Sequence, residues 1–267
     1  MKSIKYGQKG EIIAQLQAKL NKHGAKLAID GDFGTATEKA VVDFQTKHNL
    51  MVDGIVGQKT WDALEGKAIQ HLITPADYEA AANELGVPVN VIRAFGRVES
   101  VGAGFIQPNK PKILFERHIF YRLVKAKYGK ARADQLAQNH ANIISPKTGG
   151  YQGGASEYVR LNFAKTIDEA CAYSSASWGM FQIMGENWQM LGYESIDDFV
   201  EQMNASETQH LNAFVRFIKT KKGLLDALQK GDWEKVFTLY NGKAYKKLGY
   251  DHKFLAELRR LDELTKA

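Results

Sequence analysis

At 267 residues, with 44% hydrophobic and 25% charged residues, the chain has the make-up of a globular protein and the length for one large domain or a small one plus a medium one. No run of about 18 apolar residues occurs, which argues against a transmembrane helix, and the single cysteine, Cys171, leaves no intrachain disulfide or cysteine-rich metal site. A net charge of +6 is mild for a nucleic-acid binder but suits an anionic surface, and nine lysines against eight acids in residues 1–66 leave most of it to the remainder.

The opening run Met1 to Gly10 lacks the apolar core of a secretory signal peptide, so export would need another route. Glu11 to His23 predicts a helix with Ile12, Ile13, Leu16 and Leu20 on one stripe, and Gly24 follows where a left-handed C-cap would sit. A near-repeat comes next. Asp30-Gly31-Asp32-Phe33-Gly34-Thr35-Ala36-Thr37 is echoed by Asp53-Gly54-Ile55-Val56-Gly57-Gln58-Lys59-Thr60. Asp-Gly favours a tight turn, and Thr35 with Glu38 fits a capping box for a helix that turns Ala40, Val41 and Phe44 inward. Thr60 would start a third helix in the same way, ahead of Trp61 and Leu64. Three helices joined by two turn-loops are too small to hold a deep enzymatic cleft. By themselves they read as a helical bundle or as a binding module.

Residues 67–73 read as a linker between residues 1–66 and residues 74–267. Thr74 as N-cap and Pro75 in the first turn restart the chain as a helix stopped by Gly86. Pro88 opens another, with Val91, Ile92, Phe95 and Val98 as its apolar stripe and Glu99 at its end, before the glycine-rich Ser100–Phe105. A helix C-terminus carries partial negative charge, and with apolar neighbours it would raise the pKa of a carboxyl placed there. An acid still protonated near neutral pH can protonate a departing glycosidic oxygen. A solvated glutamate at a fraying helix end is the plainer alternative.

Ile113-Leu114-Phe115 predicts a short strand, followed by Glu116-Arg117-His118 and a helix over 119–126. That polar trio could line a cleft or form a salt-bridge network. No HxxxH or HExxH spacing accompanies His118, so no metal is expected. Residues 144–154 form a loop by composition, and Tyr158–Ala164 and Ile167–Tyr173 read as helices, the second capped by Thr166 with Glu169. Ser175–Gly185 is expected as a serine-capped apolar helix holding one polar side chain, Gln182. Such an amide needs either a satisfied core or a ligand. Helices follow over 206–219, 224–228, 233–240 (capped by Asp232) and 250–264.

Two resemblances rest on these residues. Leu16-Gln17, Asp30-Gly31-x-x-Gly34-x-x-Thr37, Phe44-Gln45 and Asp53-Gly54-Ile55-Val56-Gly57-x-x-Thr60-Trp61 resemble the three-helix peptidoglycan-binding domain over residues 8–65. Val98-Glu99-Ser100, then Ser177-x-Gly179-x-x-Gln182-Ile183-Met184, then Tyr240-Asn241-Gly242 resemble the lysozyme-like superfamily, with its soluble lytic transglycosylases and goose-type lysozymes. With Gly102-x-Gly104-Phe105 and Leu114-Phe115-Glu116-Arg117-His118, the likeness narrows to the N-acetylmuramidase domain of modular phage endolysins.

These resemblances imply a mainly α protein: a three-helix peptidoglycan-binding domain, then a larger lysozyme-like, mostly helical catalytic domain with a small β element. They imply a glycoside hydrolase, a muramidase that cleaves the β-1,4 bond between N-acetylmuramic acid and N-acetylglucosamine for host lysis. Glu99 would be the acid, and Glu116 is the candidate second carboxylate. Ser175, Ser177, Gly179 and Gln182 would line the substrate groove, and Tyr240 and Asn241 would contact sugar beside the acid. The expected partner is bacterial peptidoglycan, with no cofactor, no metal, no nucleic acid, no stable membrane insertion and a monomeric state. The enzyme would collect in the host cytoplasm until a separate pore releases it to the wall. One departure stands out: no acid lies between Glu99 and Glu116. A lytic transglycosylase acting on the same bond, or a non-catalytic wall-binding virion protein, are the alternatives.

Overall fold

Two buried glutamines account for the near-repeat at the start of the chain. The computed structural model describes residues 3–67, 72–100, 104–107, 110–242 and 245–265, apart from the side chains of Glu99, Ser100, Lys247 and Leu248. Within them, α1 (Glu11–Lys22), α2 (Thr35–Lys47) and α3 (Gln58–Leu64) enclose a core of Ile13, Leu16, Phe33, Val41, Phe44 and Trp61. Gln17 on α1 donates to Asp30 Oδ1 at 2.8 Å, Asp32 O and Thr37 Oγ1, and its amide oxygen accepts the Gly31 N–H. Gln45 on α2 repeats the pattern on Asp53, Ile55, Thr60 and Gly54. Each Asp-Gly turn is thus tied to a helix by one side chain that satisfies backbone groups buried from water.

The threonines serve these clamps rather than helix caps. Gly34 and Gly57 occupy the N-cap positions in extended geometry without side-chain caps. Thr35 falls one residue inside α2, while Thr37 and Thr60 point inward at the glutamine amides. Ile12 also departs from expectation: it is exposed, because the buried stripe of α1 runs through Ile13, Leu16, Gln17 and Leu20.

A second and larger core holds the rest. The order is α4 (Pro75–Leu85), α5 (Val89–Ser100), β1 (Phe105–Gln107), β2 (Lys110–Pro111), β3 (Ile113–Phe115), α6 (Arg117–Tyr128), α7 (Lys130–Asn139), α8 (Ser156–Ile167), α9 (Glu169–Ser174), β4 (Ala176–Trp178), β5 (Ile183–Met184), α10 (Ile196–Ala205), α11 (Glu207–Thr220), α12 (Leu224–Lys230), α13 (Trp233–Asn241), α14 (Tyr245–Leu248) and α15 (Tyr250–Leu264). Thr74 and Asp77 form the capping box of α4, and Gly86 closes it in the left-handed conformation. Helix α5 runs through the centre of this core. Phe95 packs on Phe214 of α11, Phe237 of α13 and Phe254 of α15 with ring centroids 5.3, 5.7 and 4.8 Å away.

The β element is larger than expected. β1 and β2 pair antiparallel, and β3, β4 and β5 form a three-stranded antiparallel sheet with Leu114 opposite Ser177 and Ser177 opposite Met184. Ser175–Gly185 is therefore a hairpin, not a helix. Gly179 (φ 74) and Gln182 (φ 50) both take left-handed backbone, which an α-helix does not admit, and residues 176–178 pair with β3. Ser175 does not open a helix: its Oγ donates to Cys171 O at the end of α9. A short apolar run does not distinguish strand from helix by period, and here pairing with the expected strand decided it. Asp168, not Thr166, caps α9 by accepting the Cys171 N–H, while Thr166 lies inside α8.

The long loop before α8 is held from that helix by a buried ion pair. Glu157 accepts N–H groups from Phe115, Gln152 and Gly153, and Arg160 donates to Glu157, Phe115 O and Asn142 O. Burial alone would raise the Glu157 carboxyl, but these donors and the Arg160 charge hold it below its ordinary value. Removing one partner strands the other charge, so Arg160→Ala is expected to cost about 3–5 kcal/mol in a denaturant titration. A cost below about 1 kcal/mol would mean that the loop is held by other contacts.

Candidate active site

The elements that carry the three sequence motifs of the larger part pack together. Gly96, on α5 one turn before Glu99, faces the hairpin turn: a Cβ added there would lie 3.4 Å from Met180 Sδ and 3.7 Å from Phe181 Cζ. Tyr240, near the end of α13, stands edge-on to Phe95 at 5.6 Å and donates its hydroxyl to Phe181 O at 2.6 Å. The end of α5, the turn at 179–182 and the end of α13 are thereby packed against one another. Glu99 and Ser100 are the last two residues of α5, and their side chains lie outside the described residues, as does Gly102. Asn241 is the last residue of α13.

The groove residues expected from sequence brace the turn itself. Ser177 Oγ donates to Gln182 Oε1 at 2.9 Å, and Gln182 Nε2 donates to Gly179 O at 2.9 Å. The Gly179 N–H bonds Lys112 O at 2.8 Å, which ties the turn to the strand preceding α6. Ser175 is fully buried at the far end of the hairpin. The amide of Gln182 is therefore satisfied by the turn that it closes.

Glu116 leaves the other end of β3, where its N–H bonds Ser175 O. Its two oxygens accept from the Tyr151 hydroxyl at 3.0 and 2.9 Å, and His118 Nδ1 lies 3.2 Å away. Burial, then the Glu116 charge, pushes the Tyr151 hydroxyl up to about 12, so it stays a donor at any working pH. Arg117 does not pair with Glu116. It donates to Ala141 O, Lys147 O and Thr148 O and fastens the loop that carries Tyr151.

On the smaller core, an open cleft of about 330 Å³ lies between α1 and α2. Leu20, Leu27 and Phe44 contribute to its apolar surface, and Lys26, Lys39, Lys47 and Asp43 contribute charge. Among the described residues, no group of three His, Cys, Asp or Glu side chains is arranged to hold a metal ion, and no helix is long and apolar enough to cross a membrane.

Residues 88–262 match the N-acetylmuramidase family, and residues 9–64 match the peptidoglycan binding domain. The chain belongs to the N-acetylmuramidase family. Its glycoside hydrolase part is preceded by a peptidoglycan-binding one, in a mainly α fold. The crystal structure of the Burkholderia AP3 phage endolysin superposes with a TM-score of 0.89 at 43% identity, covering 100% of both chains. Among curated proteins, the zinc D-Ala-D-Ala carboxypeptidase of Streptomyces albus G is 42% identical over 65 residues, 23% of this chain. A spore cortex-lytic enzyme of Bacillus cereus is 31% identical over 109 residues, 40% of this chain. This chain spans 26% and 36% of those two relatives' lengths.

Two residues of this muramidase escape sequence reasoning: Glu207 and His210, both buried in the first turn of α11. His210 Nδ1 accepts the Met180 N–H at 3.1 Å, so its proton sits on Nε2 and is donated to Met203 O at 2.7 Å. Gly179 and Gly104 are glycines because His210 leaves no room: a Cβ on either would fall within 2.6 Å of its ring. The only sequence signal was two polar residues three apart on the apolar side of an amphipathic helix.

Burial lowers His210 to about 4 from an ordinary 6.5. Between those values the unfolded chain binds a proton that the folded one refuses, so stability falls as pH drops through that window, by on the order of 3 kcal/mol. His210→Gln, which cannot charge, should flatten that part of the stability curve. Unfolding midpoints of both proteins at pH 7 and pH 4.5 test this, and equal losses would assign the slope to other groups.

Proposed function

We propose that the protein is an endolysin that degrades peptidoglycan by hydrolysing the β-1,4 bond between N-acetylmuramic acid and N-acetylglucosamine. The observation that carries this reading is the packing of the end of α5, the 179–182 turn and the end of α13 around one point. In this reading residues 1–66 hold the wall polymer, residues 67–73 connect, and residues 74–267 carry the cleavage. The cleft between α1 and α2 supports the first assignment: its apolar floor and lysines suit a polymer that carries acyl groups and carboxylates. The enzyme acts as a monomer, without cofactor, and reaches the wall from the host cytoplasm through a pore made by another protein.

Glu99 donates the proton to the leaving glycosidic oxygen, and water attacks the sugar carbon from which that oxygen departs. The 179–182 turn, with Ser177 and Gln182, forms one wall of the groove, and Tyr240 and Asn241 form the side next to the acid. Glu99→Gln keeps the shape of the side chain but has no proton to give. It should leave wall binding and the unfolding midpoint in place while lysis falls by about a hundredfold or more. A purified, folded Glu99→Gln protein that clears walls at more than about a tenth of the wild-type rate would overturn the assignment.

Two observations bear on Glu116. Its hydrogen bonds hold a carboxylate in a fixed orientation, as a water-activating base requires. Its place at the base of the hairpin instead favours a brace for the Tyr151 loop. As a base it would stand about 6.5–9.5 Å from the Glu99 carboxyl. Glu116→Gln would then cut turnover by orders of magnitude, and wild-type product would carry a reducing muramic end. As a brace, its loss would lower the unfolding midpoint, with activity following the folded fraction. A wild-type product one water lighter, with a 1,6-anhydro ring, would make the enzyme a lytic transglycosylase and remove the water step. Product mass for both proteins separates these outcomes, and we expect the reducing end.

A further inference from the structure

The smaller core is docked on the segment that carries Glu99. Asp53, in the second Asp-Gly turn, places Oδ2 3.2 Å from Arg97 Nη1, two residues before Glu99 on α5. Arg260 on α15 donates to Asp53 O at 2.6 Å, and Glu257 pairs with Arg260 at 2.8 Å. Beyond the same segment, Lys59 on α3 lies 2.5 Å from Glu207 Oε2, and Glu207 Oε1 accepts the Gly104 N–H at 2.8 Å. Glu207 also accepts the Ile73 N–H at 3.3 Å and is 1% exposed. Gly104 O in turn accepts the Lys112 N–H, and Lys112 O accepts the Gly179 N–H of the hairpin turn.

Arg97 and Gly104, on either side of Glu99 in the sequence, are therefore both tied to the wall-binding part, Arg97 directly through Asp53 and Gly104 through Glu207 by Lys59. We infer that Lys59 and Asp53 are positioning residues for the cleavage site, so that the wall-binding module sets the placement of the Glu99 segment as well as anchoring the enzyme. The physical basis is the cost of a buried charge. Without Lys59, Glu207 keeps its backbone donors but loses its closest counter-charge, and a buried carboxylate so placed draws in water. That loosens its hold on Gly104, while the 179–182 turn keeps its own hydrogen bonds and the one from the Met180 N–H to His210. Burial, then the Lys59 charge, holds the Lys112 amine below its ordinary value, against the pull of Glu207.

This inference rests on the reading of Glu99 as the acid. The test uses the full-length chain and a short soluble glycan oligomer of alternating N-acetylglucosamine and N-acetylmuramic acid, too short to span both parts. Asp53 is unsuitable as the probe because it also holds Gln45. Lys59→Met keeps the side-chain stem and removes the charge. It should lower kcat on the oligomer by about tenfold to a hundredfold with KM changed less than about threefold, because the groove stays while the acid is displaced. Lys59→Arg, which restores the charge, should recover most of the loss. Circular dichroism of both variants gives the folded fraction by which kcat is corrected. Corrected kcat for Lys59→Met equal to wild type, with only whole-wall clearance reduced, would overturn the inference and leave the module a tether. Activity in Glu99→Gln on the same oligomer would instead overturn the underlying site reading.

Discussion

A buried backbone N–H or C=O must find a partner, and this requirement shapes the turns and loops that surround the proposed site and the Asp-Gly repeats. The helices satisfy their own backbone; the turns and loops between them do not. Several irregular segments are met by a long polar side chain reaching out of a neighbouring helix. Gln17 and Gln45 hold the two Asp-Gly turns, Glu157 and Arg160 hold the loop before α8, and Glu207 and His210 hold Gly104 and Met180. The apolar cores decide which helices pack together. The clamps decide where the segments between them lie, and those segments include the proposed groove.

The sequence shows half of this design readily. Apolar periodicity locates most of the helices because burying a stripe is the main gain in forming them. The doubled Asp-Gly pattern marks the smaller part because turn chemistry is local. The clamps are harder to see. Glu207 and His210 lie on the apolar side of their helix, but a polar residue there signals burial only weakly, and the backbone groups it clamps are shown only by its tertiary neighbours. The hairpin at 176–184 was missed for a related reason. Its apolar run fits a helix as well as a strand, and the pairing that decides between them comes from β3, more than sixty residues earlier. The threonine caps failed more simply, because a glycine ahead of each helix had already taken the cap position.

The convergence of Glu99's helix with the 179–182 turn and Tyr240 was implied by the family resemblance, not by any spacing in the chain. The structure adds the means of convergence. Gly96 lets the turn approach α5, and Phe95, the residue before it, inserts into the aromatic core shared by α11, α13 and α15. Adjacent residues on one helix thus serve the site and the core, so a shift of α5 would disturb both at once.

Buried charged groups such as Glu157 with Arg160 and Glu207 with Lys59 are weak sources of net stability, because desolvation offsets much of their attraction. Their value is geometric: a carboxylate that accepts two or three directed N–H bonds permits one arrangement of the backbone around it. In α11 the two clamps are one helical turn apart, so Gly104 and Met180 are positioned by a single rigid element. The relative placement of the chain leaving α5 and the hairpin turn then depends on one helix and not on two loops. Because Lys59 meets the same first turn of α11, the peptidoglycan-binding part joins the frame that holds both sides of the proposed groove.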